Sequence, residues 1–160
     1  MAISVCDVTR PMPSATALPV LLGELGHVPR ERISLLVATG AHRAVTANEL
    51  DGMLGPEVAR GYDVVNHSAF GRQGVRHVAD TPDGIPVSLN RRWLESDFRI
   101  TTGFVEPHFF AGFSGGPKMV APGLAGFDTT IRLHDADMIA HPRSTWGVTR
   151  GNPIHDAVSQ

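Results

Sequence analysis

At 160 residues, the chain has room for one globular unit with a real core and falls short of two. Its 14 Lys and Arg stand against 16 Asp and Glu, a formal charge of -2 with no basic block, so neither nucleic acid nor a membrane surface is an expected partner. No apolar run approaches the roughly 20 residues of a membrane span, and a single cysteine, Cys6, excludes an intrachain disulfide framework and fits a reducing, cytoplasmic setting.

Ala2 to Cys6 opens the chain as a short apolar strand, with Cys6 expected as a small buried residue. Ala15 to Leu25 places Leu18, Leu21, Leu22 and Leu25 on one helical face, and Ile33 to Ala38 forms the next strand, which together make a βαβ unit. Thr46 and Glu49 have capping-box spacing and open a helix to about Leu54, where Gly55-Pro56 stops it. Tyr62 to Val65, Ile85 to Leu89 and Phe98 to Thr102 are further strands. The stretch from Gly71 to Asp83 has no clear period and is expected to be an irregular connection. Pro122 to Met138 is expected to be helical in its second half, and Ile154 to Val158 to open another helix.

Strands apolar on both faces suit a parallel sheet covered by helices. The expected fold is therefore α/β, a Rossmann-like parallel sheet with helices on both faces, in a single domain spanning 1–160. The 17 glycines and 12 prolines lie scattered among the apolar runs, as site loops would, rather than gathered in a tail.

In an open parallel sheet, ligands bind beyond the carboxyl ends of the strands, so the residues just after each strand are the informative ones. Here they are Asp7, Thr9 and Arg10; Thr39-Gly40-Ala41-His42-Arg43; Asn66-His67; and Gly103 leading to Glu106-Pro107-His108. Singly, Asp7 and Thr9 can be helix caps and each histidine a structural residue; together they put a carboxylate, arginines and histidines along one edge.

Next comes Pro107 to Lys118, the richest segment. Ser114, Gly115 and Gly116 let backbone N–H groups approach an anion, and Lys118 supplies a charge or an amine nucleophile. The Walker spacing is absent, and Pro117 removes a donor before the lysine, so a tight turn with a solvated lysine is the plain alternative. His134 follows on an expected helix, where an imidazole suits nickel, copper or zinc. No Cys pair or His cluster accompanies it, so a metal held by protein groups alone is not expected.

Asp7-Val8-Thr9-Arg10-Pro11, Ala38 to Arg43, Pro107 to Lys118, His134 and Gly151-Asn152-Pro153 together resemble the ordered motifs of the lactate racemase family. The resemblance implies an isomerase domain that binds a nickel-pincer nucleotide, a pyridinium mononucleotide with two sulfur-bearing substituents. It implies that Lys118 joins this cofactor through a thioamide and that His134 completes a planar nickel site. It further implies that His42 and His108 are acid/base residues on either side of the carbon of a 2-hydroxy acid. Arg10 would contact the substrate carboxylate or the nucleotide phosphate, and Asp7 would orient His42 or bind ribose. His67 is given no step.

Relative to that family, the chain is expected to lack a preceding segment and the second domain or partner chain that closes the site. Two other readings stay open: a non-catalytic cofactor- or anion-binding domain, or half of a split enzyme, and a phosphate-cradling hydrolase using Ser114 or Lys118.

Overall fold

Strands apolar on both faces have no solvated side and must be covered twice. The computed structural model, which describes residues 1–71 and 73–160, shows how. Strands β1 (Ala2–Val5), β2 (Ser34–Val37), β3 (Asp63–Asn66) and β6 (Arg99–Thr101) form a wholly parallel sheet in the order β3-β2-β1-β6. Two-residue alternation sends Ile3, Val5, Leu35 and Val37 to one face, where they pack with Leu18 and Leu22 of α1 (Ser14–Glu24), Leu54 of α2 (Ala47–Leu54) and Val58 of α3 (Pro56–Gly61). Ala2 and Leu36 face the other way, against Trp93 of α4 (Arg91–Glu95) and Leu124. The α/β expectation with both faces covered therefore holds. Cys6, immediately after β1, is buried.

The expected capping box is present: Thr46 Oγ1 accepts from the Glu49 N–H while the Glu49 carboxylate accepts from the Thr46 N–H. Arg43 and Thr46 together hold the Glu49 carboxyl down to about 2.

Two expectations need correction. Val75–Asp80, inside the stretch read as irregular, is strand β4, and it pairs antiparallel with β5 (Pro86–Asn90); Arg72, in the same stretch, lies outside the described residues. The strand read at Ile85 to Leu89 therefore belongs to this separate two-stranded ribbon rather than to the parallel sheet. The ribbon docks on the segment after Pro122: Asn90 N–H donates to Leu124 O, and Ser88 N–H to Thr129 Oγ1. The expected helix before Met138 is two short ones, α5 (Phe127–Leu133) and α6 (Ala136–Ala140), with His134 at the junction as the C-cap of α5. The chain's last helix is α7 (Pro153–Val158). Among the described residues, no helix is long and apolar enough to cross a membrane.

Candidate functional site

Beyond the carboxyl ends of β1 and β2 lies a cavity of about 360 Å³, within the range of small-molecule pockets. Asp7, Arg10, His42, His108, Ser114, Gly115, Lys118 and His134 all line it; Gly116 does not. Residues distant in sequence meet here because β1 and β2 are hydrogen-bonded neighbours, so the turns that follow them emerge side by side.

The turn after β1 is tied by its own carboxylate. Asp7, nearly buried, accepts through Oδ1 from the Thr9 N–H at 3.1 Å and the Thr9 hydroxyl at 2.5 Å. Its Oδ2 meets His42 Nδ1 at 2.7 Å. The turn after β2 that delivers His42 is closed by its N–H on Thr39 O and by Gly40 N–H on Gly123 O. Arg10 donates through Nη1 to Glu106 Oε1 at 2.9 Å, a partner that sequence reasoning did not foresee.

The Pro107 to Lys118 segment is more ordered than a Gly-rich loop. Strands β7 (Pro107–His108) and β8 (Gly112–Phe113) make a minimal hairpin. The ring of His108, nearly buried, accepts at Nδ1 from the N–H groups of Phe110 and Ala111 at 3.4 and 3.3 Å. Burial, reinforced by the positive charges of Lys118 and Arg10, pushes the His108 ring down to about 4.

The Ser114 hydroxyl donates to Phe104 O at 2.6 Å and accepts from Glu106 N–H at 3.0 Å, fixing the loop that carries Glu106. Gly115 has φ +68°, and a Cβ there would come within 3.0 Å of Phe104 O, so only glycine admits this approach. Gly116 follows, also with positive φ, and Gly116–Met119 is a 3₁₀ turn that presents Lys118.

Lys118 is the chain's only lysine. Burial, assisted by the Arg10 charge, brings its amine down to about 8. Its Nζ lies 5.4 Å from the centre of the Phe110 ring; the His134 ring meets that same ring edge-on at 5.2 Å, and the His108 ring at 4.5 Å. Phe110 is thus the common support of three candidate groups. It is anchored in turn by Asn152, fully buried, whose Nδ2 donates to Phe110 O and Val148 O while its Oδ1 caps α7 by accepting from the Ile154 and His155 N–H groups. The Gly-Asn-Pro motif is therefore a structural clamp under the site.

His134 Nδ1 lies 2.7 Å from Thr130 O, which can only accept, so Nδ1 carries a proton and, in the neutral ring, Nε2 is the nitrogen with the lone pair. Among the described residues, no group of three or more His, Cys, Asp or Glu side chains is placed to hold a metal ion. His67 stands apart from the cavity: buried, it reaches Ala125 O at 2.8 Å through Nε2 and Asn90 Nδ2 at 3.0 Å through Nδ1, clamping β3 to the ribbon. Burial also lowers its pKa.

The family model described as the lactate racemase N-terminal domain matches residues 1–147. The chain is 35% identical over 156 residues to the lactate racemase of Thermoanaerobacterium thermosaccharolyticum, covering 97% of this chain and 37% of that protein. It is 39% identical over 150 residues to the lactate racemase of Lactiplantibacillus plantarum, covering 93% and 35%. The solved lactate racemase apoprotein from T. thermosaccharolyticum superposes with a TM-score of 0.94 at 34% identity, over 99% of this chain and 38% of that one. A Thermotoga maritima protein of known structure follows at a TM-score of 0.82 and 25% identity, over 98% and 41%. The chain thus spans well under half the length of these relatives.

Proposed function

The chain belongs to the lactate racemase N-terminal domain family, and on that premise we propose that it is the cofactor-anchoring domain of a racemase or epimerase of a 2-hydroxy acid. The cofactor is a nickel-pincer nucleotide joined to Lys118 and ligated through nickel by His134. The observation that carries this reading is the placement of the Lys118 amine and the His134 ring around one Phe110 ring in a single cavity.

The donor set fits the group. An amine at about 8 is partly unprotonated near neutral pH, as acylation by a cofactor carboxyl derivative requires. One imidazole with a bare Nε2 offers one ligand, so the remaining ligands must come from the organic group, and square-planar coordination suits Ni(II). When bound, the cofactor supplies a two-electron acceptor for the α-hydrogen, which no side chain can provide.

The chain's own residues handle the rest. His42 and His108 serve the substrate hydroxyl group, and Arg10, with donors beyond the one on Glu106, takes the carboxylate or the phosphate. Gly115 backbone contributes to an anion cradle, whereas Ser114 acts through the loop it ties.

The His42 side chain is 61% exposed. Hydride transfer requires exclusion of water, so a second domain or partner chain closes the site; the coverage of 35–37% of the curated relatives supports the same arrangement. The hydrolase alternative loses Ser114 as a nucleophile, because its hydroxyl is spent on backbone.

The test is nickel content after production beside the enzymes that mature the cofactor. About one nickel per chain is expected, lost in both Lys118→Ala and His134→Ala. Nickel retained equally by both variants would refute the assignment.

A further inference from the structure

Two consecutive threonines of α5 are treated in opposite ways. The Thr129 hydroxyl donates to Pro86 O at 2.8 Å and accepts from the Ser88 N–H at 2.8 Å, which seats the β4–β5 ribbon on the helix. Thr130, the next residue, is only 7% exposed, and its hydroxyl, sealed from solvent, meets no partner. A threonine hydroxyl inside a helix ordinarily bonds to the carbonyl one turn back. Here that carbonyl, Gly126 O, accepts the Thr130 N–H at 2.9 Å and not the hydroxyl.

A buried polar group without a hydrogen bond costs free energy, so such groups are few. The buried hydroxyls of Ser4, Thr39 and Ser144 obey the rule, donating to Met119 O, His67 O and Met138 O. Among the described residues, the other unpartnered buried hydroxyl is that of Ser14, at the start of α1 and outside the cavity. Thr130 lines the cavity one helical turn before His134, and its carbonyl is the acceptor that holds His134 Nδ1 at 2.7 Å. An unpaired donor therefore stands in the same wall that presents the His134 ring.

The charges around the cavity decide what kind of guest it suits. Lys118 and Arg10 bring positive charge, while the Asp7 carboxylate is already taken up by Thr9 and His42. An anionic guest carries acceptor atoms, which a hydroxyl with a free proton complements. A single χ1 step exchanges the hydroxyl and methyl branches of threonine, and helices admit two of its rotamers. The hydroxyl can thus turn to a guest without any movement of the backbone.

We infer that the Thr130 hydroxyl is a ligand-binding group: it donates a hydrogen bond to an acceptor atom, oxygen or sulfur, of the anionic ligand seated between Lys118 and His134. Two points of attachment leave a guest free to turn about the line through them, and a third removes that freedom. The inference rests on the cofactor reading above for the identity of the ligand; the unpaired hydroxyl does not.

Two substitutions test it. Thr130→Val replaces the hydroxyl with a methyl of similar shape, Thr130→Ser keeps the hydroxyl, and the carbonyl that holds His134 is backbone and survives both. In the unloaded chain, Thr130→Val should move the chemical-denaturation midpoint to higher denaturant, because an unpaired buried donor is removed. In chain produced beside the cofactor's maturation enzymes, the same variant should lose nickel to a chelator roughly tenfold faster than the unsubstituted chain, the effect of one hydrogen bond to a charged acceptor. Thr130→Ser should hold nickel nearly as long as the unsubstituted chain. A hydroxyl that served only the fold would give an equal or lower midpoint in unloaded Thr130→Val, and that result overturns the inference. An unmodified Lys118 in the unsubstituted chain sinks the cofactor reading and this inference with it, whereas a loaded Thr130→Val that keeps nickel as well as the unsubstituted chain sinks this inference alone.

Discussion

Because Lys118 is the only lysine, its ionisation can be read by chemical labelling without mutagenesis. Burial in the cavity, with help from Arg10, lowers its amine to about 8 from the ordinary 10.5. At pH 7 that leaves about one amine in eleven unprotonated, against about one in three thousand for an ordinary lysine, a gain of roughly 300-fold in nucleophilic form. Brief pulses of an acylating reagent across pH 6–10, followed by peptide mapping to separate Lys118 from the N-terminal amine, should give a rate that levels off above about pH 8. Arg10→Ala should move that midpoint upward, because one cationic neighbour is removed while burial stays. A rate that climbs steadily through pH 10, with or without Arg10, would refute the claim that the cavity prepares this amine for acylation.

Three further outcomes follow from the same geometry. His67 and His108 both have folded-state values below the 6.5 of a free ring, so the unfolded chain binds their protons first; stability is fully present above about pH 6.5 and drains as pH falls toward 4. His108 alone accounts for at most about 3 kcal/mol, and a chemical-denaturation midpoint unchanged between pH 7 and pH 4.5 would contradict this. Asn152→Ala removes four hydrogen bonds from a fully buried side chain and should cost about 2–4 kcal/mol, with faster amide exchange at Phe110 and Ala111; unaltered exchange there would deny Asn152 its clamping role. Phe110→Leu removes the ring under Lys118, His108 and His134, so it should shift the Lys118 labelling midpoint and lower nickel retention several-fold, and a variant matching the unsubstituted chain in both would remove Phe110 as their common support.

The parallel sheet was legible because β1 and β2 are short runs of mostly apolar, buried residues, while β3 and β6 carry only Val64, Val65 and Ile100 as apolar markers. Strand β4 escaped notice for the opposite reason: Arg76, His77, Val78, Ala79 and Asp80 are all exposed, so no periodic apolar face marks them, and only pairing with β5 makes them a strand. The candidate site was legible as a coincidence of chemistry at strand ends. Its internal wiring was not, because it depends on contacts between distant positions. Arg10 with Glu106, Asp7 with His42 and Asn152 with Phe110 are joined only once the sheet has brought their turns together. Ser114 adds a tie of the same kind, since its hydroxyl bonds to Phe104 and Glu106, eight to ten residues before it.

The central claim is that Lys118 anchors the cofactor in this cavity. Intact-protein mass spectrometry with peptide mapping, on chain produced beside the cofactor's maturation enzymes, tests it most directly. The account predicts a single covalent mass increase located on Lys118 and absent from Lys118→Ala; an unmodified Lys118 under those conditions would contradict it.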